Sequence, residues 1–399
     1  MNFIATCATL VCAFSTSPLF SAGEVAEQIS PRTIQVLIEK EAREALLEVR
    51  GPYQILNPHD ASRVTSGLLG KRFLIHELEA GLKWGEEFPG IHQFYIQPRS
   101  ANTTILINGT QYQGAIAIYG VNGLIHIVND VDIEAYVQAV LTEQFPYPLD
   151  AEVMSALAIL TRTDAYYHVM KHPESFWHVA ASDTHYQGSA LVIPGSPLVK
   201  AVESTKHLIL VHPQDGSNLP FATAWTEHSA GKTASYQALF RKENWGPSST
   251  GIETPHAALV RQDVKWTYQI PKQKLAAKLD LGNVQGIDLF VDRPSNKVYA
   301  LRVQDGSSSH DFDFFSFQEQ IGKQNLQSSD FTVTFQGDNV LFAGFGKGCG
   351  VGLCLYSAGA LAQNGDNAVR ILSKFFPGTF LYNLDALRSL PLQENGSAR

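Results

Sequence analysis

In the stretch Thr142-Glu143-Gln144-Phe145-Pro146-Tyr147-Pro148, one carboxylic acid stands among aromatic and proline residues on a short turn before a long helix. Two chemistries suit such a group. A glutamate at the end of a loop is ordinarily solvated and inert. The same group walled by Phe145, Pro146, Tyr147 and Pro148 is partly desolvated, which favours the protonated form of a carboxyl group and fits a proton donor.

Three other sets of residues invite chemistry. Cys349 and Cys354, with thirteen histidines elsewhere, suggest a Cys-His hydrolase or a zinc site. Their spacing lacks a second ligand pair, and no base stands at a fixed distance to activate either thiol. Ser229 in His-Ser-Ala-Gly-Lys-Thr (228–233) is a candidate nucleophile without the usual strand-turn-helix elbow. The glycine-rich run 344–352 invites phosphate binding, but neither the P-loop pattern nor a βαβ unit accompanies it, so the glycines point to close backbone packing against a neighbour or an extended ligand.

The elements that must position these groups follow from periodicity. From Pro31 to about Val128, β-like runs (TIQVLIEK, RFLIHEL, QFYIQP, TTILING, GAIAIYG, LIHIVND) alternate with turn residues, among them Asn108-Gly109 and Asn122-Gly123. Over Asp150–Lys171 the period changes: Ala156, Leu160, Thr163, Tyr167 and Met170 fall on one helical face, with Asp150 at the N-cap position. Strands are expected around LILVHP and PFATAWTEHSAGKT, a loop over 244–259, and a strand at KVYALRVQ. The C-terminal part reads as a hairpin, the glycine loop, a helix ended by Asn364-Gly365, a second helix and a Pro-Gly turn. Elements in mixed order without a βαβ rhythm predict an α+β fold: a strand-rich core, a long helix after the Glu143 turn, and two C-terminal helices.

The 399 residues, 44% apolar and 17% charged, are enough to bury a sizeable core. A formal net charge of −8 with no basic run argues against nucleic acid or anionic lipid as partners. The N-terminus carries an apolar run of about a dozen residues followed by Ser21 and Gly23, small residues suited to a signal-peptidase cut. The expectation is an exported, periplasmic or cell-envelope protein, with membrane attachment only through an uncleaved leader. Cys7 and Cys12 belong to that leader, leaving Cys349 and Cys354 and no disulfide framework. Expected boundaries are 1–23 for the signal peptide, 24–111 for a strand-rich segment, 112–385 for a catalytic domain and 386–399 for a tail.

Taken together, Tyr-Gln-Gly at 112–114, NDVDIEAYVQAVLTEQFP at 129–146, EVMSALAILTRTDAYY at 152–167, SAGKT at 229–233 and GKGCGVGLCLYSAGALAQNG at 346–365 follow in register the motifs of the SpoIID/LytB domain family, which this chain resembles over about 112–380. The resemblance implies a bacterial cell-wall factor and sets Glu143 at the position of the catalytic glutamate of a peptidoglycan lytic transglycosylase. That reaction needs one acid, which protonates the glycosidic oxygen and then, as carboxylate, helps the sugar's own C6 hydroxyl attack C1. It departs from the two-carboxylate scheme of most glycosidases. Arg162, Thr163, Ser229, Thr233, Cys349 and Gly350 are implied to line or shape the cleft.

Departures from the pattern are specific. Cys349 replaces a His, Cys354 a Ser, Leu355 a Gln and Leu157 a Gln, each removing a hydrogen-bonding group. Glu152 matches the first acid of the family helix. Members that bind zinc do so through cysteines; here Asp183, His185 and Gln187 remain, but Tyr186 stands where a Cys is needed, so neither metal nor other cofactor is expected. The expected partners are peptidoglycan glycan strands, with cell-wall amidases or division proteins beside them. The alternative function is a non-catalytic glycan-binding protein or amidase enhancer.

Overall fold

A computed structural model describes residues 32–385, apart from 215, 216, 243, 245, 248–250 and 307. The expected signal peptide and the tail 386–399 lie outside the described residues.

The first half of the chain builds two sheets. One has seven strands in the order Val179–Ala180, Thr33–Ala42, Leu124–Asp132, Ala115–Val121, Gln93–Pro98, Tyr53–Leu56 and Arg63–Gly67. The other has six, in the order Thr110–Tyr112, Thr104–Ile107, Glu44–Arg50, Lys71–Leu78, Gly81–Trp84 and Glu86–Pro89. Alternating inward residues fill the space between them, with Leu47, Ile75, Trp84, Phe94, Ile96, Ile116, Ile118 and Ile127 all buried. Trp84 satisfies its indole N–H on the Leu47 carbonyl at 3.1 Å. Both Asn-Gly pairs sit at left-handed angles, φ 50° and 88° at 108–109 and φ 55° and 80° at 122–123, and so close hairpins whose twist matches their strands. The expected boundary at 111/112 falls inside the hairpin Thr104–Ile107/Thr110–Tyr112, and strands 115–132 share a sheet with 33–42. The strand-rich segment therefore runs on to Asp132.

A second core is helical. Helix α1, Ile133–Gln144, begins where Asp132 accepts hydrogen bonds from the Glu134 and Ala135 N–H groups. It stops before Pro146, which lacks the N–H to continue and disfavours helix at Phe145. Glu143 therefore lies in the last turn of a helix and not on a separate turn. Helix α2, Ala151–Lys171, takes Asp150 as its N-cap, as the sequence indicates. It is buried around most of its circumference, not along one face, because strands and helices pack on several sides of it. Helices α3 (Pro197–Ser204), α4 (Leu355–Gln363) and α5 (Ala368–Phe375) complete this core. Glu152 accepts a hydrogen bond from the Ala368 N–H at 2.7 Å and thereby ties the start of α2 to the start of α5.

A third core lies within 265–345. Strands Lys265–Pro271, Asn339–Phe345 and Phe331–Gln336 form one sheet and Gly286–Asp292, Lys297–Gln304 and Ser309–Asp313 another, packed about Phe314, Phe317, Leu301 and Phe342. Strands and helices in mixed order with several sheets make an α+β fold, as expected. Two local expectations change. The run 221–233 forms only the two-residue strand Trp225–Thr226, and the expected loop 244–259 contains a short helix at Pro255–Leu259.

Candidate functional site

Glu143 is half-buried, and its Oε1 accepts a hydrogen bond from the Gln187 side-chain amide at 3.0 Å. Gln187 reaches it because His185 adopts φ 58° after the short helix Ala181–Thr184, turning the chain back toward α1. Gly188, at φ 70°, then lets the backbone run against Gln111, where a Cβ would stand 2.2 Å from the Gln111 carbonyl oxygen. The Ser189 N–H donates to that same carbonyl at 2.9 Å. Among the described residues Glu143 enters no ion pair.

The apolar walls expected around Glu143 are narrower than the sequence indicates. Tyr147 is 81% exposed and Pro146 and Pro148 are exposed too, because the chain runs through solvent between α1 and α2. Only Phe145 turns inward, its ring 4.9 Å from that of Trp225. Trp225 donates its indole N–H to the Gln144 side-chain oxygen at 3.2 Å, and Gln144 in turn donates to the Thr184 carbonyl. The carboxyl thus has an amide from Gln187, and the next two residues along the chain, Gln144 and Phe145, both meet Trp225.

The glycine loop reaches this region through Trp225. Strand Trp225–Thr226 pairs in parallel with Leu353–Cys354, and Cys349 Sγ approaches the Trp225 carbonyl at 3.8 Å. Gly350 donates its N–H to Thr226 Oγ1 at 3.1 Å. A Cβ at Gly350 would come within 2.8 Å of the buried Lys297 side chain, so close packing explains this glycine and no phosphate is needed. Burial pushes the Cys349 thiol up from its ordinary pKa, which keeps it protonated at neutral pH. Both cysteines are free thiols.

The remaining residues expected in the cleft hold the fold instead. Arg162 is 0% exposed. Its guanidinium makes a two-pronged contact with Glu134, at 2.8 and 2.7 Å, and donates to the Leu208 and Val202 carbonyls at 3.0 and 3.2 Å. Thr163, equally buried, donates to the Ile159 carbonyl and accepts from the Leu210 N–H. Ser229 pairs with the Thr254 hydroxyl at 2.7 Å, and Thr233 accepts from the Ile252 N–H at 2.9 Å. Beneath this turn, buried Lys297 donates to the Ser229 carbonyl and to Asp330, while Arg261 binds both Asp330 oxygens and the Ala230 carbonyl. Burial pushes the Lys297 pKa down, opposed by the Asp330 charge. Arg162, Thr163, Ser229 and Thr233 therefore fix the backbone around the site and have no free group to offer a sugar.

Gln187, Gln144 and Trp225 are the site residues that sequence reasoning passed over. Gln187 was visible only as a remnant of a zinc-type motif. Tyr186, at the position of the missing Cys, is buried and donates its hydroxyl to Asn129 at 2.6 Å.

This is an α+β protein with a half-buried glutamate in the last turn of a helix, and residues 121–212 match the model of the SpoIID family, described as Stage II sporulation protein. The resemblance read from the motifs is thus shown over the segment that contains Glu143, Arg162 and Gln187. The chain is 34% identical over 183 residues to an uncharacterised protein of Chlamydia pneumoniae, covering 45% of this chain and 66% of that one, so it spans just under two thirds of that relative's length. It is 25% identical to an uncharacterised protein of Brachyspira hyodysenteriae over 83% of this chain and 88% of the relative. It is 24% identical to Stage II sporulation protein D of Bacillus subtilis over 65% of this chain and 77% of the relative.

Proposed function

We propose that this protein acts on the bacterial cell wall as an exported lytic transglycosylase, cleaving peptidoglycan glycan strands between MurNAc and GlcNAc to leave 1,6-anhydro-MurNAc ends. The observation that carries the reading is the placement of Glu143: half-buried in the last turn of α1, with its carboxyl held by a neutral amide from Gln187. The similarity to a relative named Stage II sporulation protein D supports the cell-wall part of the reading.

As acid, Glu143 gives its proton to the glycosidic oxygen while the C1–O bond breaks. As carboxylate, it takes the proton of the C6 hydroxyl while that oxygen bonds to C1. No water enters and the proton count closes. Gln187 donates to Oε1 and leaves the other carboxyl oxygen to carry the proton. Cell-wall amidases or division proteins are the proposed partners.

The test is Glu143→Gln with purified glycan strands, both peptide-free and peptide-bearing. Turnover is expected to fall by on the order of 10²–10⁴, the usual worth of general acid–base catalysis. Binding and melting temperature should hold, because glutamine is near-isosteric and still offers a donor and an acceptor. Near-normal release of anhydro-muropeptides by Glu143→Gln refutes the assignment. If the wild type releases none from either substrate, the protein is a glycan-binding factor, a reading favoured by Cys349, whose thiol is turned onto the Trp225 carbonyl where the family loop has a His.

A further inference from the structure

A second concave site lies on the β-sandwich, lined in part by residues that the Glu143 chemistry does not use. It is a cavity of about 480 Å³. Tyr119 and Phe176 rings stand 4.9 Å apart on one side, and His126 stacks on Trp177 at 5.9 Å and 13° on another. Phe176 is 63% exposed although it is a large apolar ring, and nothing in the fold requires it at the surface. Polar side chains share the wall: Gln93 and Asn57, joined by a hydrogen bond at 3.2 Å, and His126.

We infer that this cavity is a carbohydrate subsite that takes a sugar ring of the same glycan strand and anchors it away from the scissile bond. A pyranose has a flat apolar C–H face and a rim of hydroxyls. The aromatic floor fits the face, and the polar wall that includes Gln93 and Asn57 fits the rim. The volume lies in the range of small-molecule sites, about 300–1,000 Å³. A lipid tail would use the rings but would set hydrocarbon against the polar side chains of Gln93 and Asn57. The position suits a polymer as well. Segment 177–187 leads from Trp177 through strand Val179–Ala180 to Gln187 on Glu143, so both sites stand at the two ends of one short tether. The subsite rests on the glycan reading proposed above.

The experiment measures co-sedimentation and intrinsic fluorescence of the full chain with purified peptide-free glycan strands, for wild type, Phe176→Ala, Trp177→Ala and Glu143→Gln. Phe176→Ala removes an exposed ring and leaves the core intact, so its melting temperature should match wild type. It is expected to weaken strand binding about tenfold, equivalent to about 1.4 kcal/mol, and Trp177→Ala at least as much. Glu143→Gln should bind as wild type does. Unchanged affinity in folded Phe176→Ala overturns the subsite while leaving the catalytic reading to its own turnover assay. Weakened binding in Phe176→Ala upholds the subsite even if wild type proves unable to cleave. Absence of glycan binding by wild type overturns both.

Discussion

Removing the counter-charge of Arg162 is the sharpest test of how the helical core is held. In Glu134→Ala the guanidinium keeps its carbonyl partners at Leu208 and Val202 but loses two charge-assisted bonds of 2.8 and 2.7 Å, and it remains at 0% exposure with no anion beside it. Stranding a buried charge in this way costs about 3–5 kcal/mol, whereas breaking an exposed pair costs about 0.2–1 kcal/mol. The partner variant Arg162→Met should cost at least as much. It removes the guanidinium donor from the Leu208 carbonyl, at about 1–3 kcal/mol, and leaves the Val202 carbonyl only the Thr205 hydroxyl at 3.3 Å. The two changes share one contact, so Glu134→Ala in the Arg162→Met background should add much less than it does alone. Urea unfolding followed by far-UV circular dichroism reads all four proteins. A loss below about 1 kcal/mol for Glu134→Ala, or full additivity in the double variant, refutes the view that Arg162 is a structural anchor and returns it to the candidates for substrate binding.

Two further outcomes concern single side chains. Burial depresses His178 from its ordinary 6.5 to about 4, against the opposing Asp130 charge, and its Nδ1 accepts the Gln35 N–H at 3.0 Å. The unfolded chain therefore binds the extra proton first, so stability is complete above pH 6.5 and falls as pH drops toward 4. His178→Gln should flatten that slope in pH-dependent urea midpoints, and an unchanged slope counts against the buried neutral imidazole. Cys349, protonated and turned onto the Trp225 carbonyl, should react slowly with iodoacetamide at neutral pH, and partial labelling should leave glycan binding and cleavage largely intact. Complete inactivation at stoichiometric labelling, unexplained by blocking of the cleft, would revive the thiol as a nucleophile.

The parts of this molecule legible in the sequence are those decided within a few residues. Asn-Gly at 108–109 and 122–123 fixes hairpins by its backbone angles, and Asp150 starts α2 by a bond to Glu152 two residues on. The pattern Ile133, Tyr136, Val137, Val140, Leu141 also carries helical spacing, yet the proline-rich end that follows drew Glu143 into a turn. What stayed hidden depends on partners far along the chain. Arg162 is structural only because Glu134 faces it from another helix, and Trp225–Thr226 is a strand only because Leu353–Cys354 lies beside it. Gln187 becomes a site residue through a 44-residue separation from Glu143 that no local pattern encodes.

The pairing of Trp225 with the glycine loop has a consequence for the order of events in making the protein. The Cys349 thiol and the Trp225 carbonyl it meets are 124 residues apart, and the larger part of the intervening chain, 265–345, folds into the third core. Closing so long a loop is entropically slow unless its contents compact first. As the chain emerges from its N-terminus, Glu143, Gln187 and Trp225 are all made early, but the strand that holds Trp225–Thr226 in place, Leu353–Cys354, comes near the end. A chain cut before residue 353 therefore carries every residue of the Glu143 contact set but lacks the strand that fixes Trp225.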